Sequence, residues 1–120
     1  MLTILVVEDE FGVADVVMSA LEDEGFRVVL AANGRQGLER VAEAKPDLII
    51  MDFMMPIMDG AAMGAALRAN PASASIPIIM TSAVGEAAVR QRFAEFQAFL
   101  RKPFRISELL DCVNKLLLQS

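Results

Sequence analysis

A chain of 120 residues is long enough for one domain with a sizeable core, and an apolar content of 55 % supplies the material for it. A net charge of −5 argues against this domain itself gripping nucleic acid, and the absence of histidine removes histidine catalysis, phosphohistidine chemistry and most zinc sites. No stretch approaches the ~18 uninterrupted apolar residues of a membrane span, the opening Met1–Val7 run is too short for a signal-peptide core, and the single Cys112 excludes an internal disulfide and fits a reducing cytoplasm.

The chain opens on an apolar strand, Leu2–Val7, which runs into Glu8-Asp9-Glu10. Val13, Val16, Val17, Ala20 and Leu21 then recur at i, i+3, i+4, i+7 and i+8, the period of a helix, and Gly25 follows as its stop. Phe26–Ala31 reads as a second strand, and Leu38 and Val41 mark a shorter second helix closed before Pro46. Leu48–Met51 is a third strand, delivering Asp52 at its end. Ala61–Asn70 is an alanine-rich helix ended by Asn70-Pro71. Ile76–Thr81 reads as strand, Val84–Phe96 as a fourth helix and Ala98–Arg101 as a fifth strand. Ile106, Leu109, Leu110, Val113, Leu116 and Leu117 form the apolar stripe of a last helix, after which the chain ends at Leu118-Gln119-Ser120 with no output domain expected within 1–120.

Five strand–helix units with short connections predict a parallel sheet covered by helices on both faces. Continuous apolar runs, without alternation, are what strands buried on both faces look like. The expected fold is α/β: a flavodoxin-like, doubly wound five-stranded parallel sheet in the order 2-1-3-4-5, with five helices. In that order strands 1 and 3 are neighbours at the reversal of strand order, where open α/β sheets bind ligands at the carboxyl ends of their strands. The rim there receives Glu8-Asp9-Glu10 from strand 1, Asp52 from strand 3, Thr81-Ser82 from strand 4 and Lys102-Pro103 from strand 5. Carboxylates crowded from adjacent strands raise one another's pKa unless a cation joins them. Oxygen donors without histidine or a nearby cysteine select a hard ion, Mg²⁺ first and Mn²⁺ as the alternative. An aspartate beside such an ion can act as a nucleophile towards phosphorus, with the ion, a lysine and a hydroxyl stabilising the transferring group.

These segments resemble the receiver domain of two-component response regulators, over essentially the whole chain. Leu5-Val6-Val7-Glu8-Asp9-Glu10 is similar to the family's first-strand acidic cluster, and Asp47–Asp52 through Pro56 and Asp59-Gly60 to its phosphoacceptor segment. Pro77–Ala83 resembles its fourth strand and Phe99-Leu100-Arg101-Lys102-Pro103-Phe104 its fifth. The resemblance implies that Asp52 accepts a phosphoryl group from a sensor histidine kinase or a histidine phosphotransfer protein. It also implies metal ligation by Asp9, Asp52 and the Met54 backbone carbonyl, with Glu8 assisting through water. Lys102 would contact the phosphoryl group, the Lys102-Pro103 bond would be cis, and Phe99 would be the aromatic switch. The resemblance also implies the hydroxyl of Ser82, since the family's Ser/Thr falls five residues after the strand-opening proline and before a small residue; Ser82 stands so after Pro77 and before Ala83, 30 residues beyond Asp52, and Thr81 is then strand core. Drawing Ser82 towards the phosphoryl group would move the start of helix 4, turn Phe99 inward and alter the face of helix 4, strand 5 and helix 5. That face would meet an output partner, in a monomer or a phosphorylation-dependent homodimer.

Plainer roles suit several neighbours. Glu10 reads as a first-turn helix acid, Glu22-Asp23-Glu24 as a solvated helix end, and Asp59-Gly60 as the turn opening helix 3. Met51, Met54, Met55 and Met58 read as pliable packing, since thioethers suit soft metals, and Cys112 as a small buried hydrophobe. Two departures from the family stand out. The interval from Ser82 to Lys102 is short, with Phe93-Ala94-Glu95-Phe96-Gln97-Ala98 before strand 5, so helix 4 or its connection is shortened and the two phenylalanines either meet a partner or pack on the sheet. Arg105 stands where a small polar cap for helix 5 is expected. Other classes fit less well. A haloacid-dehalogenase-type phosphatase needs a second acid where Met54 stands, and a flavin module needs a phosphate-binding loop where Glu8-Asp9-Glu10 repels phosphate. A receiver-like binding module regulated without phosphorylation is the alternative, although such modules typically lose the acids or the lysine kept here.

Overall fold

Each strand feeds alternate side chains to opposite faces, and every residue of β1, β3 and β4 is buried, so helices must cover the sheet on both sides. A computed structural model describes residues 1–118; Gln119-Ser120 lie outside the described residues. Its elements are β1 Thr3–Val7, α1 Phe11–Asp23, β2 Arg27–Ala31, α2 Gly34–Ala44, β3 Leu48–Asp52, α3 Gly60–Ala69, β4 Ile78–Ser82, α4 Glu86–Arg90, β5 Ala98–Arg101 and α5 Ile106–Leu117. The sheet is parallel throughout, in the expected order β2-β1-β3-β4-β5.

Two cores result. Leu5, Val7, Ile49, Met51, Ile78 and Met80 face Met63 and Leu67 of α3 and Val89 of α4. Ile4, Val6, Leu48, Ile50, Ile79 and Leu100 face Val17 and Leu21 of α1 and Leu109 and Val113 of α5. Helix ends follow local chemistry. Gly25 has φ 92°, the left-handed conformation that suits a helix stop. Asp59 caps α3 by accepting the Ala62 N–H at 2.9 Å, as expected of the Asp59-Gly60 turn. At α5 the missing small cap is replaced from within: Glu108 reaches back to accept the Arg105 N–H at 2.9 Å.

The fourth helix departs from expectation. Periodicity predicts Val84–Phe96, but α4 spans only Glu86–Arg90. Beyond it Phe93 and Phe96 both turn inward and are buried, which removes them as exposed partner contacts. Phe93 lies flat over Gly64 of α3, so close that a Cβ there would stand 2.6 Å from the ring. Side-chain hydrogen bonds then tie this segment to α3 and to the chain entering β4. Arg68 of α3 donates to the carbonyls of Ala74 at 3.0 Å, Ile76 at 2.8 Å and Glu95 at 2.8 Å. The Gln97 side chain accepts the Ile78 N–H at 2.7 Å and fixes the entry to β5.

Hydrogen bonds from a charged group contribute ~1.5–3 kcal/mol, whereas exposed helix ion pairs contribute at most about 0.5 kcal/mol. Arg68→Met is therefore expected to lower the unfolding free energy, measured by urea titration, by an amount in the first range. Arg40→Met, which removes only the i,i+3 pair with Glu43, should fall in the second; equal losses from the two would show that Arg68 does not hold the segment.

Candidate functional site

The register of the sheet brings the charged strand ends to one level. Val7 pairs with Met51, Asp52 with Thr81 and Ser82 with Arg101. Asp52 continues the Leu48–Ile50 face of β3, so its carboxylate emerges on the α1 and α5 side of the rim and is 6 % exposed. Glu8 follows β1 with its N–H bound to the Ala31 carbonyl at 3.0 Å and its side chain turned inward, 7 % exposed. Asp9 stays in solvent. Carboxylate oxygens of Glu8, Asp9 and Asp52 lie within 4.8 Å of one another. Lys102, arriving just after β5, places its Nζ 2.5 Å from Glu8 Oε1 and 3.3 Å from Asp52 Oδ2. The lysine is thus held most closely by Glu8.

One ammonium does not balance three carboxylates. Burial pushes the Glu8 carboxyl above its ordinary range and the Asp52 charge adds to this, against the Lys102 hydrogen bond. Burial likewise raises Asp52, aided by the charge of Asp9 and opposed by Lys102 and a backbone hydrogen bond from Met54. For Lys102, burial works against the charged form, but the Glu8 and Asp52 carboxylates outweigh it and lift its pKa. The net result is a half-buried pocket with an excess of negative charge. Its donors are all oxygen, the set that suits a hard divalent cation keeping several of its waters. The residues present therefore fit Mg²⁺.

The other expected residues sit around this cluster without joining it. Ser82 is fully buried, its carbonyl accepts the Lys102 N–H at 2.8 Å and its Oγ accepts the Val84 N–H at 3.0 Å; among the described residues no hydrogen bond links that hydroxyl to Asp52, Glu8 or the Lys102 ammonium. Thr81 is strand core, its hydroxyl 3.5 Å from the Met51 carbonyl. Phe99 is half-buried on the α3 and α4 side, with its ring centroid 6.0 Å from that of Phe96. The Met54 side chain is 60 % exposed, which overturns its reading as packing. The Lys102-Pro103 bond is cis.

A family model described as the response regulator receiver domain matches residues 4–114. The chain belongs to the response regulator receiver domain family. It is 34 % identical over 116 residues to sporulation initiation phosphotransferase F of Bacillus subtilis, covering 95 % of this chain and 92 % of that protein. It is 33 % identical over 118 residues to the DNA-binding dual master transcriptional regulator RpaA of Synechocystis, covering 95 % of this chain and 48 % of that protein. The chain spans about half the length of several curated relatives that it matches. Among solved structures, the receiver domain of a sensor histidine kinase from Pseudomonas aeruginosa, described with a magnesium ion coordinated in its active site cleft, superposes with a TM-score of 0.88 at 30 % identity and 96 % coverage of each chain.

Three arginines escaped the sequence reading. Arg92 donates to Asp59 at 3.0 Å and its guanidinium lies 5.5 Å from the Phe53 ring centroid, tying the chain after α4 to the loop after Asp52. Arg101 donates to the Ala83 carbonyl at 3.3 Å. Arg68 clamps the segment before β5, as described above. Each acts on a neighbour distant in sequence, so no local motif signals it. The loop after Asp52 also holds Ile57 with φ 68°, a left-handed and exposed β-branched residue between Pro56 and Met58.

Because Glu8 and Asp52 carry pKa values raised on folding, the folded receiver binds more protons than the unfolded chain as pH climbs out of the carboxylate range. The contribution of these groups to stability therefore falls as pH rises through that window. In the presence of EDTA, Asp52→Asn is expected to melt ~2–5 °C above the parent at neutral pH, with the gap narrowing towards acid pH. A gap that widens towards acid pH, or an Asn variant that melts lower at neutral pH, would contradict the sign.

Proposed function

We propose that this receiver domain takes a phosphoryl group onto Asp52 and uses it to switch a binding face. The observation that carries the reading is the constellation at the rim. A buried Asp52 carboxylate lies within 4.8 Å of the Glu8 and Asp9 carboxylates, and the Lys102 ammonium is 3.3 Å from its Oδ2. Asp9, Asp52 and the Met54 carbonyl would hold Mg²⁺, with Glu8 assisting through water and Mn²⁺ as the alternative. Bound there, the ion would supply positive charge for the oxygens of the transferring group.

The residues of the chain itself do the rest. Asp52 offers a carboxylate oxygen already stripped of most of its water, held in place by the Met54 backbone bond and by Lys102. An oxygen–phosphorus bond forms at Asp52 as the phosphorus–nitrogen bond of a phosphohistidine breaks, and the imidazole leaves with the electron pair. The donor is a sensor histidine kinase or a histidine phosphotransfer protein. Lys102 has a second partner in Glu8, so it can turn towards the new phosphoryl oxygens without leaving its pocket. Ser82 supplies the hydroxyl and Phe99 follows it, changing the face around α4, β5 and α5. With α4 only five residues long, that face is made mainly by β5, α5 and the β4–α4 turn. The output is a separate partner or a domain of a longer protein, reached as a monomer or a phosphorylation-dependent homodimer, in the cytoplasm.

Incubation with acetyl phosphate and Mg²⁺ is expected to add the mass of one phosphoryl group to the parent and none to Asp52→Asn. A phosphorylated Asp52→Asn protein would refute the assignment. A parent that gains no mass while retaining its fold would favour a binding module regulated without phosphorylation.

A further inference from the structure

Burial sorts the methionines of this chain sharply. Met51, Met63 and Met80 are completely buried, and Met18, Met55 and Met58 are half-buried. Of the eight, only Met54 and the first residue, Met1, are exposed. Met54 stands two residues beyond Asp52, and its backbone N–H bonds the Asp52 carboxylate. A thioether open to solvent therefore sits beside the acceptor carboxylate. The one thiol competes poorly for an oxidant: Cys112 is half-buried, and burial above all pushes its thiol above the ordinary range, against the pull of Lys115. Little of it is then the reactive thiolate.

We propose that Met54 is a peroxide-sensitive modification site, whose oxidation to the sulfoxide shortens the life of a phosphoryl group on Asp52. The inference rests on the phosphoacceptor reading above. In the oxidation, the Met54 sulfur attacks one peroxide oxygen. A sulfur–oxygen bond forms as the oxygen–oxygen bond breaks, hydroxide leaves with the electron pair, and the proton released from the new S–OH group turns it into water. Sulfur is oxidised, peroxide is reduced, and an apolar side chain becomes a polar one. The consequence lies in the water that removes the phosphoryl group. A bond forms from the water oxygen to phosphorus, the bond from phosphorus to the Asp52 oxygen breaks, and the carboxylate leaves with the electron pair while the water's proton passes to solvent. Thioether sulfur is a weak acceptor that holds no water in place. A sulfoxide oxygen is a good acceptor, and a water held and oriented beside the phosphoryl group reacts faster than one that must arrive from bulk. Oxidation of the buried methionines acts differently, because it sets a polar group in the core and lowers stability.

The test treats the chain with hydrogen peroxide, removes the peroxide, phosphorylates with acetyl phosphate and Mg²⁺, and follows loss of the phosphoryl mass in the parent and in Met54→Leu. At limiting peroxide, peptide mass mapping is expected to find the added oxygen on Met54 and Met1 well before Met51, Met63 or Met80. The phosphoryl half-life of the oxidised parent should fall roughly 3- to 10-fold, the worth of one hydrogen bond to the attacking water, with the melting temperature unchanged. Methionine sulfoxide reductases should restore it, and Met54→Leu should show the same half-life before and after peroxide. An unchanged or longer half-life in a parent oxidised at Met54, or an equal fall in Met54→Leu, overturns the inference and leaves the phosphoacceptor reading intact. A parent that accepts no phosphoryl group overturns both.

Discussion

Everything at the carboxyl end of the sheet follows from a charge mismatch. Two carboxylates, each less than a tenth exposed, and a third in solvent converge on one ammonium. Burial alone penalises such a set, and removal of Lys102 would leave the penalty uncompensated. Structural ion pairs generally arrive balanced. An unbalanced cluster at the reversal of strand order has the character of a binding site, because the missing charge is what a divalent cation provides.

The fold is arranged so that this cluster costs the core nothing. β1 and β3 are adjacent and in register, so their apolar residues stay inside and charge enters only at the last position of β3 and just after β1. The close approach of α3 depends on Gly60: a Cβ there would stand 2.6 Å from the Asp52 carbonyl oxygen, so any larger residue would push the helix start away from β3. The loop between them is tied down where it enters α3. Met58 accepts the Gly34 N–H at 2.9 Å, and Asp59 is shared between the Ala62 N–H and Arg92.

Much of this was legible in the chain because it is local. Continuous apolar runs located all five strands, to within about two residues at their ends, and the strand order followed from the short crossovers. Asp9, Asp52 and Lys102 could be brought to one rim because each lies at or just beyond a strand end, whereas the choice of Ser82 over Thr81 rests on the resemblance to the family's pattern. What stayed hidden depends on contacts between distant segments. Phe93 and Phe96 have helical spacing, yet Gly64 opens a slot on α3 that takes the Phe93 ring and ends the helix early. The guanidinium of Arg68 meets carbonyls as far away as Glu95, which no window of sequence reveals. Periodicity records which residues are apolar, not which neighbour is small enough to receive them.

The central claim is that the excess negative charge of Glu8, Asp9 and Asp52 exists to hold a divalent cation beside Asp52. Calorimetric titration of Mg²⁺ into the metal-free protein tests it most directly. The account predicts one saturable site per chain, lost when Asp9 and Asp52 are both changed to Asn in a variant that retains the parental fold. Absence of a saturable site in the parent, or a site of undiminished affinity in the double variant, would contradict it.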